Sequence, residues 1–382
     1  MRRFALLALG LAVAILVGLG LVVLMSASEV RGLSRHADAF YFVKRQVVYI
    51  AAGLAVAAAA AAFDYHKWRD HTALSTFFYF AVLVALLAVF LFKATKGSHR
   101  WIVLGPVSFQ PGEFAKLATA LMVAVWVDRA SWRIELFKNG ALIPASIIAG
   151  MAVPVILEPD FGSVMVIGSV GLLVMYVGGT RRRYIYPLLG CGAAVFIWKV
   201  FHNANRMARL AAFTGMSVAG GAAGGAADSA AYQGDMSLVA ISRGGVLGVG
   251  LMKSMQKQNY LPEAWTDFIF AVGAEEMGVA FSVAVVLLFA AFFLLSVYIA
   301  KKAADRFGRL LVVGMAFIVF FQAMFNIGVV CEALPTKGMA LPFFSYGGTN
   351  MLASFFAVGT ILSVGIRSLG DQNRRPFQRK AR

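Results

Sequence analysis

Reactive side chains are scarce in this sequence. Its 382 residues hold two cysteines and five histidines. Cys191 and Cys331 lie in or beside apolar runs, which gives neither a disulfide framework nor metal-ligand spacing. The scattered histidines form no metal motif. No G-x-x-x-x-G-K-[ST] stretch occurs, so ATP-driven transport has no support. G-x-S-x-G and H-E-x-x-H are missing too. Any chemistry must therefore use a pre-activated substrate. Acidic residues are also few, 18 against 35 Lys and Arg, for a net charge of +17. Charged residues of both signs make up only 14% of the chain. Soluble domains run nearer a quarter charged.

What fills the space is hydrocarbon. Hydrophobic residues make up 60% of the chain and the mean hydropathy is +0.78. Apolar runs of about 20 residues, each enough to cross the ~30 Å hydrocarbon core as a helix, recur along the whole length. Backbone groups find no water there, so the runs predict helices rather than open strands. The sequence thus predicts an all-α, polytopic membrane protein with ten spans at 4–25, 44–63, 72–92, 112–128, 141–157, 161–179, 184–201, 277–299, 310–330 and 349–366. The first run, Phe4 to Met25, is too long for a signal-peptide core and reads as an uncleaved span. Alternate gaps collect the short basic clusters: Arg2 and Arg3, Lys67 and Arg69, Arg129 with Arg133 and Lys138, Arg181 to Arg183, Lys301 with Lys302, Arg306 and Arg309, and the tail after Gly365. The positive-inside rule places these gaps, and both termini, in the cytoplasm. Topology then accounts for most of the net charge, with attraction to anionic membrane lipids second, and nucleic acid is not an expected partner. One transmembrane domain, 1–382, contains a large extracytoplasmic loop at 202–274 and a basic cytoplasmic tail at 367–382. Within the loop, Val218 to Ala231 is Gly/Ala-rich and reads as flexible.

Ionisable residues at membrane depth are costly, so each is a candidate for function. Glu113 and Lys116, at i and i+3, share one helical face. They read either as a structural ion pair or as the wall of a polar cavity with Lys116 facing an anion. Glu158-Pro159-Asp160-Phe161-Gly162 makes a tight corner in which Asp160 either caps the next span or faces that cavity. Lys96 and Arg100, beside Trp101, are interfacial anchors or phosphate ligands. Arg243 lies in Ser242-Arg243-Gly244-Gly245, and Lys337 in Leu334-Pro335-Thr336-Lys337-Gly338. Gly347-Gly348, ahead of the last span, offer backbone N–H groups to an anion or form a plain turn. Asp267 stands between Trp265, Thr266 and the apolar Phe268 to Val272. It reads either as a turn residue or as a carboxylate suited to take a proton from a hydroxyl.

Taken together, Lys96 to Ile102, Gln110-Pro111-Gly112-Glu113-Phe114-Ala115-Lys116, Pro159 to Gly162, Leu261 to Val272, Leu334 to Gly338 and Ser345-Tyr346-Gly347-Gly348 resemble the SEDS family (shape, elongation, division and sporulation), the group of FtsW and RodA. The similarity covers nearly the whole chain. Met25-Ser26-Ala27-Ser28, Phe42-Val43-Lys44-Arg45-Gln46 and Lys337 look closer to the division branch. The resemblance implies a ten-helix fold and a peptidoglycan glycosyltransferase that polymerises lipid II, with undecaprenyl diphosphate leaving. It also implies work beside a class B penicillin-binding protein and other division proteins, in the bacterial inner membrane at the septum. Asp267 matches the family's catalytic aspartate, and Glu113, Lys116 and Asp160 match its polar cavity. Departures are Trp265 for a usual His, Glu158 for Gln, Thr349-Asn350 for Ser-Ser, and the Gly/Ala stretch.

On this reading Asp267 is the general base. Lys116, Arg100 and Arg243 or Lys337 meet the diphosphate, and a divalent cation, Mg or Mn, is a possible helper. A lipid II flippase and a non-catalytic division scaffold are the competing classes.

Overall fold

The computed structural model describes residues 2–92, 99–105, 107–158, 160–202, 207, 210, 222–258, 260–335 and 337–378. Lys96 and its neighbours Gly97 and Ser98 therefore lie outside the described residues, as do Pro159, residues 218–221 of the Gly/Ala stretch and the end of the basic tail. The chain folds as α1 (Arg2–His36), α2 (Tyr41–Ala62), a short α3 (His66–Asp70), α4 (Thr72–Ala88), strands β1 (Ile102–Leu104) and β2 (Val107–Phe109), then α5 (Pro111–Arg129), α6 (Ile143–Leu157), α7 (Phe161–Val177), α8 (Arg182–Phe201), α9 (Ala222–Gly244), α10 (Ile269–Lys301), α11 (Arg306–Val330) and α12 (Gly348–Gln378). It is a multi-pass, all-α membrane protein. The two strands form one antiparallel hairpin, with Ile102 opposite Phe109, that turns at Gly105.

Among the described residues seven helices are long and apolar enough to cross a membrane: Arg3–His36, Tyr41–Ala62, Thr72–Leu91, Lys138–Leu157, Ile269–Lys301, Arg306–Val330 and Gly348–Leu369. Phe161–Val177 is apolar but shorter. Pro111–Arg129 and Arg182–Phe201 also occupy expected span positions. In Pro111–Arg129 the charges on Glu113, Lys116, Asp128 and Arg129 dilute the apolar run. That helix is buried nearly all round, including Glu113 and Lys116. It packs against α4, α6, α7, α11 and α12 and is the hub of the bundle. Helices hydrophobic on every face belong in such a position, and here the hub also carries charge.

The two ends of the bundle differ. One has short connections tied by ion pairs, Arg69–Asp305 at 3.2 Å and Arg367–Asp64 at 3.0 Å. The other gathers the described parts of the long segments, 99–105, 107–110, 245–258, 260–268 and 337–347. The stretch expected as an open loop at 202–274 is in part helical. α9 begins at Ala222, inside the Gly/Ala stretch read as flexible, and α10 starts at Ile269 rather than near 277. Alanine is the strongest helix former, and α9 finds a surface on α10. The early start of α10 reflects a kink at Gly278 (φ 73°, ψ −169°). The kink frees backbone groups, and the 245–250 loop takes them up. Val279 N donates to Gly245 O (2.9 Å) and Ala280 N to Val246 O (3.3 Å). Val249 N donates to Glu275 O (3.0 Å) and Gly250 N to Glu276 O (3.0 Å). Buried backbone polar groups must be paired, so the kink and the loop stabilise one another.

Candidate active site

The hub helix supplies the deepest charge. Lys116 Nζ sits 2.8 Å from Glu113 Oε1, with both side chains almost fully buried. The i, i+3 spacing brings them together as expected. Lys116 also donates to Gln322 Oε1 at 2.8 Å. Gln322, on α11, then donates through Nε2 to Ala340 O (3.0 Å) and Asn350 Oδ1 (3.2 Å). One turn further, Asn326 Nδ2 donates to Met339 O (2.6 Å) and to Asp267 O (2.8 Å). α11 therefore fastens two non-helical segments, 337–341 and 265–267, above the buried Lys116. Sequence reasoning missed Gln322 and Asn326. Their signal was there: two amides at i, i+4 in a 25-residue apolar helix.

Asp160 caps α7. Its Oδ2 accepts from Ser163 Oγ at 2.7 Å, and its Oδ1 from Ser163 N at 3.5 Å. Lys337 Nζ lies 3.9 Å from the same Oδ1. Burial alone would push the Asp160 carboxyl up. Lys337, then Arg100, Ser163 and Lys116, outweigh burial and hold it below the usual carboxylate range. Capping and facing a cavity were alternatives in the sequence, and the structure shows Asp160 as the cap, paired with Lys337. Arg100 reaches the same corner, where its Nε donates to Glu158 O at 3.1 Å. The Glu158 side chain is buried, and its Oε1 finds no hydrogen-bond partner among the described residues. Burial, then the charge of Asp160, pushes this carboxyl up to about 8 against the opposing pull of Arg100. Glu158 is thus a neutral acid at pH 7, and one carboxylate of the corner is ionised beside one that is not.

Asp267 stands on the other side of the 337–339 segment. Its carboxylate packs onto Gly338, where an added Cβ would collide with Oδ2. Lys337, one residue earlier, packs across Gly162. This short non-helical segment therefore meets both carboxylates, Lys337 pairing with Asp160 and Gly338 packing on Asp267. The strip that carries Asp267 is held by its backbone. Trp265 O accepts from Tyr346 N (3.1 Å) and Thr266 O from Ser345 Oγ (2.6 Å). Gly347 N is spent on Gln46 Oε1 at 3.4 Å.

The structure thus draws Glu113, Lys116, Asp160, Arg100, Lys337 and Asp267 around one corner of the loop-rich end. Arg243 is placed elsewhere, with its Nη1 3.6 Å from Glu275 Oε1. Glu275 belongs to a second polar cluster. There it accepts from Ser254 Oγ and, at 3.1 Å, from Met255 N. Among the described residues no three His, Cys, Asp or Glu side chains converge as a metal cradle would need. Asp160 is already taken by Lys337 and Ser163. The described residues therefore offer no three-ligand cradle for a protein-held divalent cation.

The corner offers a partly exposed carboxylate beside cations that suit a phosphate. The FtsW/RodA/SpoVE family, described as cell cycle proteins, matches residues 7–368. A probable peptidoglycan glycosyltransferase FtsW of Geobacter metallireducens is 34% identical over 97% of this chain and 96% of its own length. Its counterpart in Thioalkalivibrio sulfidiphilus is 37% identical over 94% and 88%. In three dimensions the chain is similar to one from a peptidoglycan synthase complex (TM-score 0.75, 24% identity, 94% of this chain and 97% of that one). It is also similar to the rod shape determining protein RodA of Thermus thermophilus (TM-score 0.67, 25% identity, 94% and 96%). A match across nearly the whole length, on a fold whose loops bring the motif residues to one corner, means that this chain belongs to the FtsW/RodA/SpoVE family of cell cycle proteins.

Proposed function

We propose that this protein is a peptidoglycan glycosyltransferase of the FtsW type, which joins lipid II units into glycan strands during division. The observation that carries this reading is the placement of the Asp267 carboxylate on Gly338, next to a lysine paired with Asp160. Asp267 takes the proton of the acceptor sugar's 4-hydroxyl. That oxygen forms a bond to the donor's anomeric carbon. The bond from this carbon to the diphosphate oxygen breaks, and undecaprenyl diphosphate leaves with the electron pair. Lys337 and Arg100 at the corner, with Lys116 beneath, stabilise the growing negative charge. Neutral Glu158 adds no repulsion to it. A single displacement inverts the anomeric carbon.

On this reading the protein crosses the inner membrane ten times at the division septum, and the alternate basic clusters support cytoplasmic termini with the loop-rich end outside. A chain of this fold occurs in a complex that coordinates polymerization and crosslinking. That supports a class B penicillin-binding protein as the partner here.

The test is purified protein with lipid II, with and without a cognate transpeptidase, scored for glycan strands on a gel. Wild type makes polymer. Asp267→Asn keeps its expression and thermal stability and loses polymer by at least about a hundredfold, the scale of a general base. Full activity in that variant removes Asp267 from the role. Translocation of labelled lipid II with no polymer would make the protein a flippase.

A further inference from the structure

The proposed reaction engages two lipid-linked diphosphates at once, since one sugar loses its diphosphate while the other keeps it. The corner of Lys337, Arg100 and Lys116 meets one. The strip Trp265–Asp267 spans to a second basic corner. At its Asp267 end lie Gly338 and Lys337. At its Trp265 end lies the junction of α1 and α2. There Phe42 stacks on Trp265 (centroids 6.2 Å apart, planes 29° apart) and meets Tyr346 edge-on at 5.1 Å. The Arg31 guanidinium sits 5.0 Å over the Trp265 ring. Arg45 lies 5.2 Å from the Tyr41 ring and hydrogen-bonds Tyr346.

The charge balance of this corner is incomplete. Lys44 is paired with Asp38 at 2.8 Å, and Lys257 with Glu29 at 3.0 Å. Among the described residues no carboxylate pairs with Arg31. Its Nε is shielded from solvent and has no acceptor among the described residues. A buried donor left without an acceptor costs stability, and a positive charge held in place by an aromatic face is ready for an anion. Guanidinium binds phosphate through two parallel N–H groups. Two backbone steps separate Trp265 from Asp267 within a turn closed by Thr266 N and Phe268 N on Glu263 O, so their Cα atoms are at most about 7 Å apart. Sugars carried on diphosphates at the two corners can therefore both reach Asp267.

We infer that Arg31, held by Trp265 and flanked by Arg45, forms a second lipid-diphosphate subsite across Asp267 from Lys337. This rests on the glycosyltransferase reading. One subsite holds the diphosphate that departs, and the other holds the one that remains on the acceptor.

The experiment uses the full chain in phosphatidylcholine nanodiscs, titrated with a fluorescent farnesyl diphosphate and scored for equivalents bound. Wild type binds two equivalents. Arg31→Gln binds one and Lys337→Gln binds one, and the equivalent each retains shows that the protein is folded. Arg31→Lys recovers the second equivalent at reduced affinity. In polymerisation, Arg31→Gln raises the half-saturating lipid II concentration about tenfold, the scale of one charge-assisted contact. Two equivalents in Arg31→Gln, or only one in wild type, overturn the inference. So does displacement of the Arg31-dependent equivalent by phosphatidylglycerol as readily as by the diphosphate, which makes it an ordinary lipid-headgroup site. Two equivalents bound by a wild type that makes no polymer sink the enzymatic reading instead, and leave the diphosphate subsite standing.

Discussion

Among single residues, Glu158 gives the most direct pH dependence. Its carboxyl moves from 4.5 to about 8 on folding, so between those values the folded state holds a proton that the unfolded state has lost. Stability therefore falls as pH rises through this window. Glu158→Gln, which cannot ionise, removes the fall. Its thermal midpoint is expected to exceed that of wild type at pH 8.5, with the gap closing towards pH 5. A constant gap in midpoints measured from pH 5 to 9 would count against a buried acid here. Lys116 gives a second prediction. Its removal leaves the buried Glu113 uncompensated and Gln322 without its donor. Lys116→Met is expected to cost about 3–5 kcal/mol by denaturant titration. The double change Glu113→Gln, Lys116→Met is expected to cost less, because it leaves no lone charge. Much of this corner was legible in the sequence. Charges at membrane depth stand out against apolar runs, which is how Glu113 and Lys116 come to notice, and Asp160 stands out in a Pro/Gly corner between two such runs. Arg243 was misleading because a loop arginine carries no sign of its partner, and here that partner is Glu275, distant in sequence. Gln322 and Asn326 were overlooked because uncharged amides barely disturb an apolar run.

Secondary elements were legible wherever hydrophobic length decides them. Each expected span meets a helix, but the ends move where tertiary pairing decides. The sequence places the eighth span at 277–299, while α10 begins at Ile269 because the 245–250 loop satisfies the backbone at the kink. No hydropathy pattern encodes that exchange. The Gly/Ala stretch shows the converse, since its alanines favour helix, its glycines oppose it, and composition does not decide between them. Gly278 tests this reading. At φ 73° a side chain is strained, and a Cβ there would collide with Val246 O. Gly278→Ala is expected to lose more than the ~1 kcal/mol typical of a relaxed left-handed position, seen as a lowered thermal midpoint. A neutral result would mean that the kink does not hold the 245–250 loop.

Across the whole molecule, the loop-rich end is one interlocked surface, although its parts come from distant stretches of chain. Lys257 is the joint between α1 and α10. Its Nζ reaches Glu29 at 3.0 Å, Ser26 Oγ at 3.1 Å, Met252 O at 2.8 Å and Glu276 at 3.9 Å. Glu276 in turn accepts from Ser26 Oγ and, at 3.1 Å, from Ser254 N. Both α1, which carries Arg31, and the 250s loop that leads to Asp267 are thus held at the same glutamate. The opposite end closes on its own ion pairs, with Asp305 receiving Arg69 and Tyr65. Lys257→Met leaves Glu276 buried without its cation, so the damage should stay on one side. Amide exchange is expected to quicken across residues 252–268 and the last turns of α1, while the segments around Asp64 and Asp305 keep their protection. Uniform loss at both ends would mean that the bundle opens as a single cooperative unit. Loss confined to the loop-rich end would show that the surface carrying both basic corners can loosen without the helices beneath it, as a site that must admit two lipid-borne sugars and release a longer strand requires.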